Sequence, residues 1–137
     1  MRKKWSLGST LVTVASIAVA LLQPALAQSF PSKNVSLVVP FPPGGGPDLM
    51  ARVFAEKLAA QWGKAVVVEN RPGAGALLGA QAVAKSLADG HTLLLTTNTM
   101  VISPHVLAPG AGGGIDVHAD LIPVVAPATT PMALLAN

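Results

Sequence analysis

Apolar and polar positions alternate along this chain in a regular order of short and long segments. Three short runs rich in apolar and β-branched residues have the length and composition of strands: Asn34–Pro40, Ala65–Glu69 and His91–Thr97. Two longer segments between them have apolar residues at three- and four-residue spacing and predict helices, one from Pro47 or Asp48 to about Trp62, the other over Ala76–Ala88. This order is typical of an α/β fold with an open, mainly parallel sheet and helices on both faces.

Each predicted helix has one apolar face and a glycine at its end. Gly63 has the position of a C′ residue after the first helix, and Gly90 closes the second. The apolar stripe of the first helix consists of Met50, Val53, Phe54, Leu58 and Trp62. The stripe of the second consists of Leu77, Ala80, Val83 (or Ala84) and Leu87.

The last third of the chain is less regular. Thr99–Leu107 predicts a weak helix limited by Pro104, and Ala108–Gly114 is rich in proline and glycine and predicts a flexible loop. Two apolar runs, Leu121–Val125 and Met132–Leu135, predict further short strands.

The first 27 residues have the pattern of a secretory signal peptide. Met1–Lys4 is basic, the stretch from about Leu7 to Leu22 is apolar, and Ala25–Ala27 has the A-x-A form of a cleavage site. The alternative is a membrane anchor, but the span is near the lower length limit for a transmembrane helix and no positive flank follows it. We therefore predict an exported protein with cleavage between Ala27 and Gln28, which leaves a mature domain of residues 28–137.

Charge and cysteine content exclude several classes of partner. Three of the nine basic residues lie in the predicted signal peptide, so six basic residues balance six acidic residues in the mature part. There is no basic cluster and there are few aromatic residues, so the sequence does not indicate nucleic-acid binding. The chain has no cysteine, which excludes disulfides and a lipid-modified N-terminal cysteine.

The strongest candidate for a binding site is the loop Phe41–Gly46, which joins the first strand to the first helix. Backbone N–H groups of such a loop lie beside the positive end of a helix dipole and suit an anion. The lysine and hydroxyl of a phosphate-binding P-loop are absent. The alternative is a tight turn whose glycines serve only geometry. Asp48 is most simply a carboxylate at the helix N-terminus, and a direct contact with the ligand is its alternative role.

A second glycine turn, Asn70–Gly75, follows the second strand. The motif Gly73–Gly79, which starts in this turn, has the form G-x-G-x-x-x-G, one residue longer than the dinucleotide fingerprint. It follows a strand and opens a helix, so a small α/β enzyme with a nucleotide cofactor is the alternative function. The third strand ends in Thr96, Thr97 and Asn98, with no acidic residue for a ribose hydroxyl. We therefore predict no cofactor.

Other polar residues give weaker signals. Thr97, Asn98 and Thr99 either cap the next helix or offer donors beside the first glycine loop, and both roles are compatible. The three histidines are spaced too widely for a local metal site, and no G-x-S-x-G elbow is present. The sequence indicates neither a metal site nor hydrolytic catalysis, and we predict that the protein is not an enzyme.

Three segments together resemble the Bug family, the extracytoplasmic solute-binding proteins (TctC-like) of tripartite tricarboxylate transporters. They are Val38–Asp48 (VVPFPPGGGPD), Val66–Gly75 (VVVENRPGAG) and Asp89–Leu95 (DGHTLLL). Their order and spacing make the resemblance specific, and it covers nearly all of the mature chain.

The resemblance implies the first lobe of a two-lobed, clamshell-like periplasmic binding fold. It implies a small carboxylate ligand, such as a di- or tricarboxylate, an acidic amino acid or an aromatic acid, and a membrane permease as partner. Carried over to this sequence, the ligand contacts fall at Phe41, Gly44, Gly45, Gly46, Asp48, Thr97, Asn98 and Thr99.

Two departures from the family pattern change what we expect. Pro47 stands where the family commonly has a small or hydroxyl residue, and proline offers no N–H to a ligand. Family members are more than twice as long, so the resemblance implies a truncated first lobe without its second lobe. A remnant of a longer gene that binds nothing is a further alternative.

Overall fold

The computed structural model describes residues 29–108, 110 and 114–129. Its strands are β1 (Val35–Val39), β2 (Val66–Asn70) and β3 (Thr92–Leu94). Its helices are α1 (Gly46–Trp62), α2 (Leu77–Ala84), α3 (Thr99–Val106) and α4 (Val117–Asp120), and a short 3-10 turn (Ala74–Ala76) precedes α2. The predicted signal peptide and the predicted strand Met132–Leu135 lie outside the described residues, and the division of the chain at Ala27 stays a prediction.

The three strands form one parallel sheet in the order β2-β1-β3. Val35 pairs with Val66 on one side of β1, and Ser36 pairs with Thr92 on the other. The chain leaves β1 toward β2 and then crosses back to β3, and right-handed crossovers in these two directions place α1 and α2 on opposite faces. The predicted open parallel sheet with helices on both faces is confirmed.

The buried face of α1 differs from the predicted apolar stripe. Ala51 and Ala55 are buried with Leu37 and Val39 of β1, whereas Val53 of the predicted stripe is 57% exposed. The remaining stripe residues, Met50, Phe54, Leu58 and Trp62, are half-buried. Small alanine side chains allow the helix axis to lie close to the sheet, and the larger side chains then lie at the margins of the contact. The predicted stripe was therefore wrong at Val53, and it omitted the two alanines that are most deeply buried.

The end of α2 also differs from the prediction. The helix ends at Ala84 rather than Ala88, and Leu87 is 75% exposed. The hydroxyl of Ser86 donates to the carbonyl of Val83 at 2.7 Å, and the Ser86 N–H donates to the same oxygen at 2.9 Å. A serine that bonds to the backbone in this way competes with continuation of the helix.

Residues 121–125 do not form the predicted strand, although they are apolar. Ile122, Val124 and Val125 are exposed, and no strand among the described residues pairs with this segment. A strand requires hydrogen-bond partners on a neighbouring strand, so an apolar run without a partner is not sufficient.

Residues 30–33, before β1, form a strap across the edge of the sheet. This strap is held by His91, which precedes β3. The Ser32 N–H donates to Nε2 of His91 at 3.1 Å, so Nδ1 has the ring proton and donates to the Asp89 carbonyl at 3.0 Å. The Phe30 ring lies 5.0 Å from the imidazole, and Lys33 forms a 2.9 Å ion pair with Asp89. The buried histidine thus fastens the strap to the edge of the sheet.

Candidate functional site

The predicted site lies at the carboxyl edge of the parallel sheet. The first glycine loop leaves the end of β1, which is the central strand, and residues 95–98 leave the adjacent strand β3. Carboxyl ends of neighbouring parallel strands meet at one edge, and ligands of open α/β sheets bind in the crevice there. The topology therefore brings the two predicted groups of site residues to the same edge.

Only one of the three adjacent glycines is required by the protein's own backbone. Gly44 has φ +86°, a conformation that side chains disfavour. Gly45 has φ −78° and ψ 169°, and a Cβ there would meet Pro42 O at 3.7 Å and Pro47 Cδ at 3.9 Å, which are ordinary contacts. A Cβ on Gly46 would meet nothing within 4 Å. All three are exposed, so Gly45 and Gly46 present bare backbone to the surroundings.

These glycines open a long helix whose first N–H groups precede the hydrogen-bond ladder. The first bond of the ladder runs from the Leu49 N–H to Gly45 O at 3.0 Å. The N–H groups of Gly46 and Asp48 therefore lack an intrahelical acceptor, as the first groups of any helix do. Pro47, the second residue of α1, offers none. The loop and the first turn together form an electropositive backbone surface.

The side chain of Asp48 is buried beneath this loop and fully engaged with protein donors. Its Oδ2 accepts the Gly44 N–H at 2.8 Å and Arg52 Nε at 3.0 Å. Its Oδ1 accepts Asn70 Nδ2 at 2.8 Å and Arg52 Nη2 at 3.1 Å. These contacts favour the helix N-terminal role over a direct side-chain contact with a ligand.

These donors also determine the ionisation of Asp48. The Arg52 guanidinium, then the Gly44 N–H and the Asn70 amide, lower the pKa of Asp48 from 3.8 to about 2 by stabilising its charged form. The side chain is 2% exposed, whereas that of Arg52 is 54% exposed. Asp48 is therefore an ionised carboxylate at neutral pH, and its charge is balanced by a neighbouring guanidinium.

Asn70 is a site residue that sequence reasoning missed. The sequence places it in the second turn, but it is the last residue of β2 and pairs with Val39. Its Nδ2 donates to Phe41 O at 3.1 Å as well as to Asp48. The available signal was its position: an amide side chain at the carboxyl end of a strand beside the predicted loop. Through Asn70 the structure brings Phe41, Gly44 and Asp48 into one hydrogen-bonded group.

Thr97, Asn98 and Thr99 form a polar turn at the start of α3. The Thr97 hydroxyl donates to Thr99 Oγ1 at 3.0 Å and accepts the Thr99 N–H at 3.4 Å. Asn98 occupies the N-cap position, but its side chain makes no capping bond. Within the described residues, no hydrogen bond joins these three residues to the first glycine loop. Their role in a ligand site stays a prediction.

The space beside the glycines of the motif Gly73–Gly79 is occupied by other residues of the protein. A Cβ on Gly75, which has φ +60°, would collide with Ser103 Oγ, and the Ser103 hydroxyl donates to Gly75 O at 2.7 Å. A Cβ on Gly79 would lie 2.7 Å from Pro40 Cβ. Both glycines are thus explained by the approach of α3 and of the end of β1. The glycine spacing that suggested a nucleotide-binding turn is therefore explained by packing within the protein.

The part of the chain that the structure describes shows neither a metal site nor a membrane-spanning helix. No cluster of three histidine, aspartate or glutamate residues there has the geometry of a metal site. No helix among those residues combines the length and apolar character needed to cross a membrane.

Comparison with known proteins gives consistent matches. A family model described as the tripartite tricarboxylate transporter family receptor (TctC) matches residues 50–137. Protein BugT of Bordetella pertussis is 40% identical over 131 residues, which are 93% of this chain and 40% of that protein. Among solved structures, periplasmic binding protein BugD is 43% identical, with a TM-score of 0.46 over 47% of this chain and 22% of that one. MatC from Rhodopseudomonas palustris with bound malate has the same identity, TM-score and coverage.

The match covers a limited part of these relatives. The chain spans 40% of the length of BugT and 22% of the two solved chains.

Proposed function

The chain belongs to the tripartite tricarboxylate transporter receptor family, and from that premise we propose that it is part of a periplasmic solute-binding protein whose first glycine loop holds the carboxylate of a small organic acid. In this proposal the protein binds its ligand without chemical change and delivers it to a membrane permease. Export by cleavage between Ala27 and Gln28 is part of the same proposal.

The observation that carries the proposal is the pair Gly45 and Gly46. Glycine costs roughly 0.5–1 kcal/mol of conformational entropy relative to alanine on ordering. At these two positions neither the backbone angles nor contacts within the protein require glycine. A ligand that approaches the backbone closely would account for both. The N-terminus of the 17-residue helix α1 supplies a field that favours a negative charge.

The ligand class follows from the kind of donor. Backbone N–H groups at a helix N-terminus recognise an anionic oxygen, and a carboxylate has two such acceptors. Thr97, Asn98 and Thr99, at the same edge of the sheet, are proposed to contact a second polar group of the ligand. In the two-lobed arrangement that the family resemblance implies, this lobe forms one wall of the site, and a wall open to water binds weakly because solvent competes for the donors.

A titration followed by NMR tests the proposal, because it detects binding even when the affinity is weak. The ¹⁵N-labelled chain is titrated with malate and with citrate, and the dimethyl ester of malate serves as the uncharged control. We expect the amide signals of the residues between positions 41 and 48 that have an N–H, namely Phe41, Gly44, Gly45, Gly46 and Asp48, to shift with the two acids and not with the ester. Shifts confined to other parts of the chain, or equal shifts with the ester, would contradict the proposal.

A matched pair of variants sharpens this test. Gly45→Val adds a side chain whose Cβ meets only ordinary contacts within the protein, so we expect it to remove space chiefly from a ligand. We expect malate to bind more than tenfold more weakly, which corresponds to at least about 1.4 kcal/mol. Ala60→Val places the same valine side chain at an exposed position of α1 and is expected to leave binding unchanged. Equal affinities in the two variants, with folding intact by circular dichroism, would refute the role of the loop.

A further inference from the structure

One hydrogen-bonded group joins three separate elements beneath the glycine loop. Asp48 and Arg52 lie on α1, Asn70 ends β2, and Phe41 and Gly44 belong to the loop. The Asn70 amide donates to Phe41 O at 3.1 Å and to Asp48 at 2.8 Å. The other oxygen of Asp48 accepts the Gly44 N–H at 2.8 Å. Phe41 at the start of the loop and Gly44 within it are therefore held by one amide–carboxylate unit.

We propose that Asp48, Arg52 and Asn70 are the positioning residues of the anion site: Asp48 and Asn70 shape the glycine loop, and Arg52 cancels the negative charge that Asp48 places beneath it. This inference rests on the proposed function, because it assigns roles toward the ligand of that same loop.

The shaping role follows from which backbone groups are used. Gly44 needs its positive φ, and the bond from its N–H to Asp48 holds that conformation. Because this N–H is directed at Asp48, it is not offered to a ligand, and the donors that remain belong to the following residues. Asn70 ties the start of the loop to the end of β2 through Phe41 O. A loop fixed before binding loses less entropy when the ligand arrives.

The charge role follows from the chemistry of the ligand. A buried carboxylate below a site for carboxylates repels the ligand unless a cation compensates it. Arg52 supplies two N–H donors to Asp48, at 3.0 Å and 3.1 Å, so the pair is neutral in sum. The guanidinium is half exposed on the outer side of α1, and it does not itself contact the loop backbone in the described residues. Arg52 Nη2 also donates to Asn70 Oδ1 at 3.5 Å, so its effect on the ligand is transmitted through Asp48 and Asn70.

The test uses arginine variants with a matched control. Arg52 and Arg71 are both 54% exposed and both pair with a carboxylate, but Arg71 pairs with Glu69 on β2 and lies outside the group. We expect Arg52→Gln to weaken malate binding about tenfold, and Arg71→Gln to change it less than twofold. Asn70→Ala is expected to weaken binding about tenfold and to speed hydrogen exchange of the Gly44 amide.

A double variant separates the charge role from a merely structural one. Asp48→Asn in the Arg52→Gln background removes the uncompensated charge and retains an oxygen that accepts the Gly44 N–H. We expect the double variant to regain most of the malate affinity lost in Arg52→Gln. A structural role for Arg52 predicts no such recovery. All affinities are compared at a temperature where circular dichroism shows each variant folded.

The outcomes distinguish this inference from the proposed function. If wild-type chain shows no malate-dependent shifts in its loop amides, the proposed function fails and the inference fails with it. If wild-type chain binds, but Arg52→Gln and Asn70→Ala bind as Arg71→Gln does, only the inference is overturned. Should Asn70→Ala not fold, the comparison of Arg52→Gln with its double variant still decides the charge role, because Arg52 is exposed.

Discussion

The carboxylate of Asp48 lies 2.8 Å from the backbone nitrogen of Gly44, four residues earlier, and so closes the glycine loop onto the first turn of α1. A carboxylate at the third helical position often caps the N-terminus of its own helix. Here it reaches one residue further back, to the N–H of Gly44 rather than to that of the N-cap residue Gly45. The capping bond thus determines the shape of the loop as well as the start of the helix.

Stability is expected to fall in acid because of this carboxylate. The pKa of Asp48 is lowered from 3.8 to about 2 by Arg52, Gly44 and Asn70, and that of Asp89 to about 2 chiefly by Lys33. A lowered folded-state pKa contributes stability above the unfolded value, which is lost as pH falls from about 4 toward 2. Urea unfolding at several pH values should show this decline. Asp48→Asn is expected to be less stable near neutral pH and to lose less stability in this window, and parallel curves for the two proteins would contradict the assignment.

Pro47 is expected to limit the affinity of the loop. Pro47→Ala adds one backbone N–H at the second position of α1, beside the bare glycines. One additional hydrogen bond contributes about 1 kcal/mol, so malate should bind roughly fivefold more tightly in calorimetric or NMR titration. Pro43→Ala adds an N–H within the exposed part of the loop, before the helix, and serves as the control. A gain in Pro43→Ala equal to that in Pro47→Ala would show that loop flexibility, rather than the new donor, is responsible.

The second glycine turn is expected to matter for folding. Gly75→Ala places a Cβ against Ser103 and also strains φ, whereas Gly63→Ala at nearly the same φ of +64° meets nothing within 4 Å. Both variants have the cost of a left-handed residue, about 1–2 kcal/mol. Gly75→Ala has a further cost of roughly 1–3 kcal/mol from overpacking. Chemical denaturation measures the difference in unfolding free energy between the two variants. Equal values would show that α3 shifts to make room for the added Cβ at little cost.

The strap that precedes β1 is expected to depend on His91. His91→Ala removes the acceptor of the Ser32 N–H and the ring against Phe30, and we expect a loss of roughly 1–3 kcal/mol in unfolding free energy. Trypsin should then cleave after Lys33 more rapidly. His105→Ala, at an exposed position, is the control. Unchanged cleavage after Lys33 in His91→Ala would mean that other contacts hold the strap.

Export is expected to remove the first 27 residues. The mass of the intact protein from a periplasmic extract should correspond to a chain that begins at Gln28. Ala27→Phe replaces the small residue that the cleavage site requires, and it should leave the precursor in the membrane fraction. A wild-type product that still contains Met1–Ala27 would refute the signal-peptide assignment.

Local features of the fold were predicted well because they depend on neighbouring residues. Gly63 has the left-handed conformation expected of a C′ residue, with φ +64° and its N–H bonded to Ala59 O at 3.0 Å. The order of strands and helices from β1 to α3 is also as predicted, although β3 is shorter than expected. Backbone preference and periodicity are properties of a few consecutive residues, and the sequence displays them directly.

Long-range features were not predictable in the same way. Asn70 meets Asp48 across 22 residues, and Ser103 meets Gly75 across 28. Neither side chain is distinguished in the sequence by its neighbours. The first contact exists because β2 pairs with β1 in a register that sets Asn70 opposite Val39. The second exists because α3 packs on the turn before α2.

The sequence by itself determined the alternation of elements, the parallel sheet class and the location of the glycine loop at a helix N-terminus. Only the tertiary structure decided which glycines pack closely against other residues and which are left exposed. It also decided that the alanine face of α1, and not its larger residues, is buried. The physical reason is that these outcomes depend on strand register and on the distance between packed elements, which arise only when segments far apart in the chain meet.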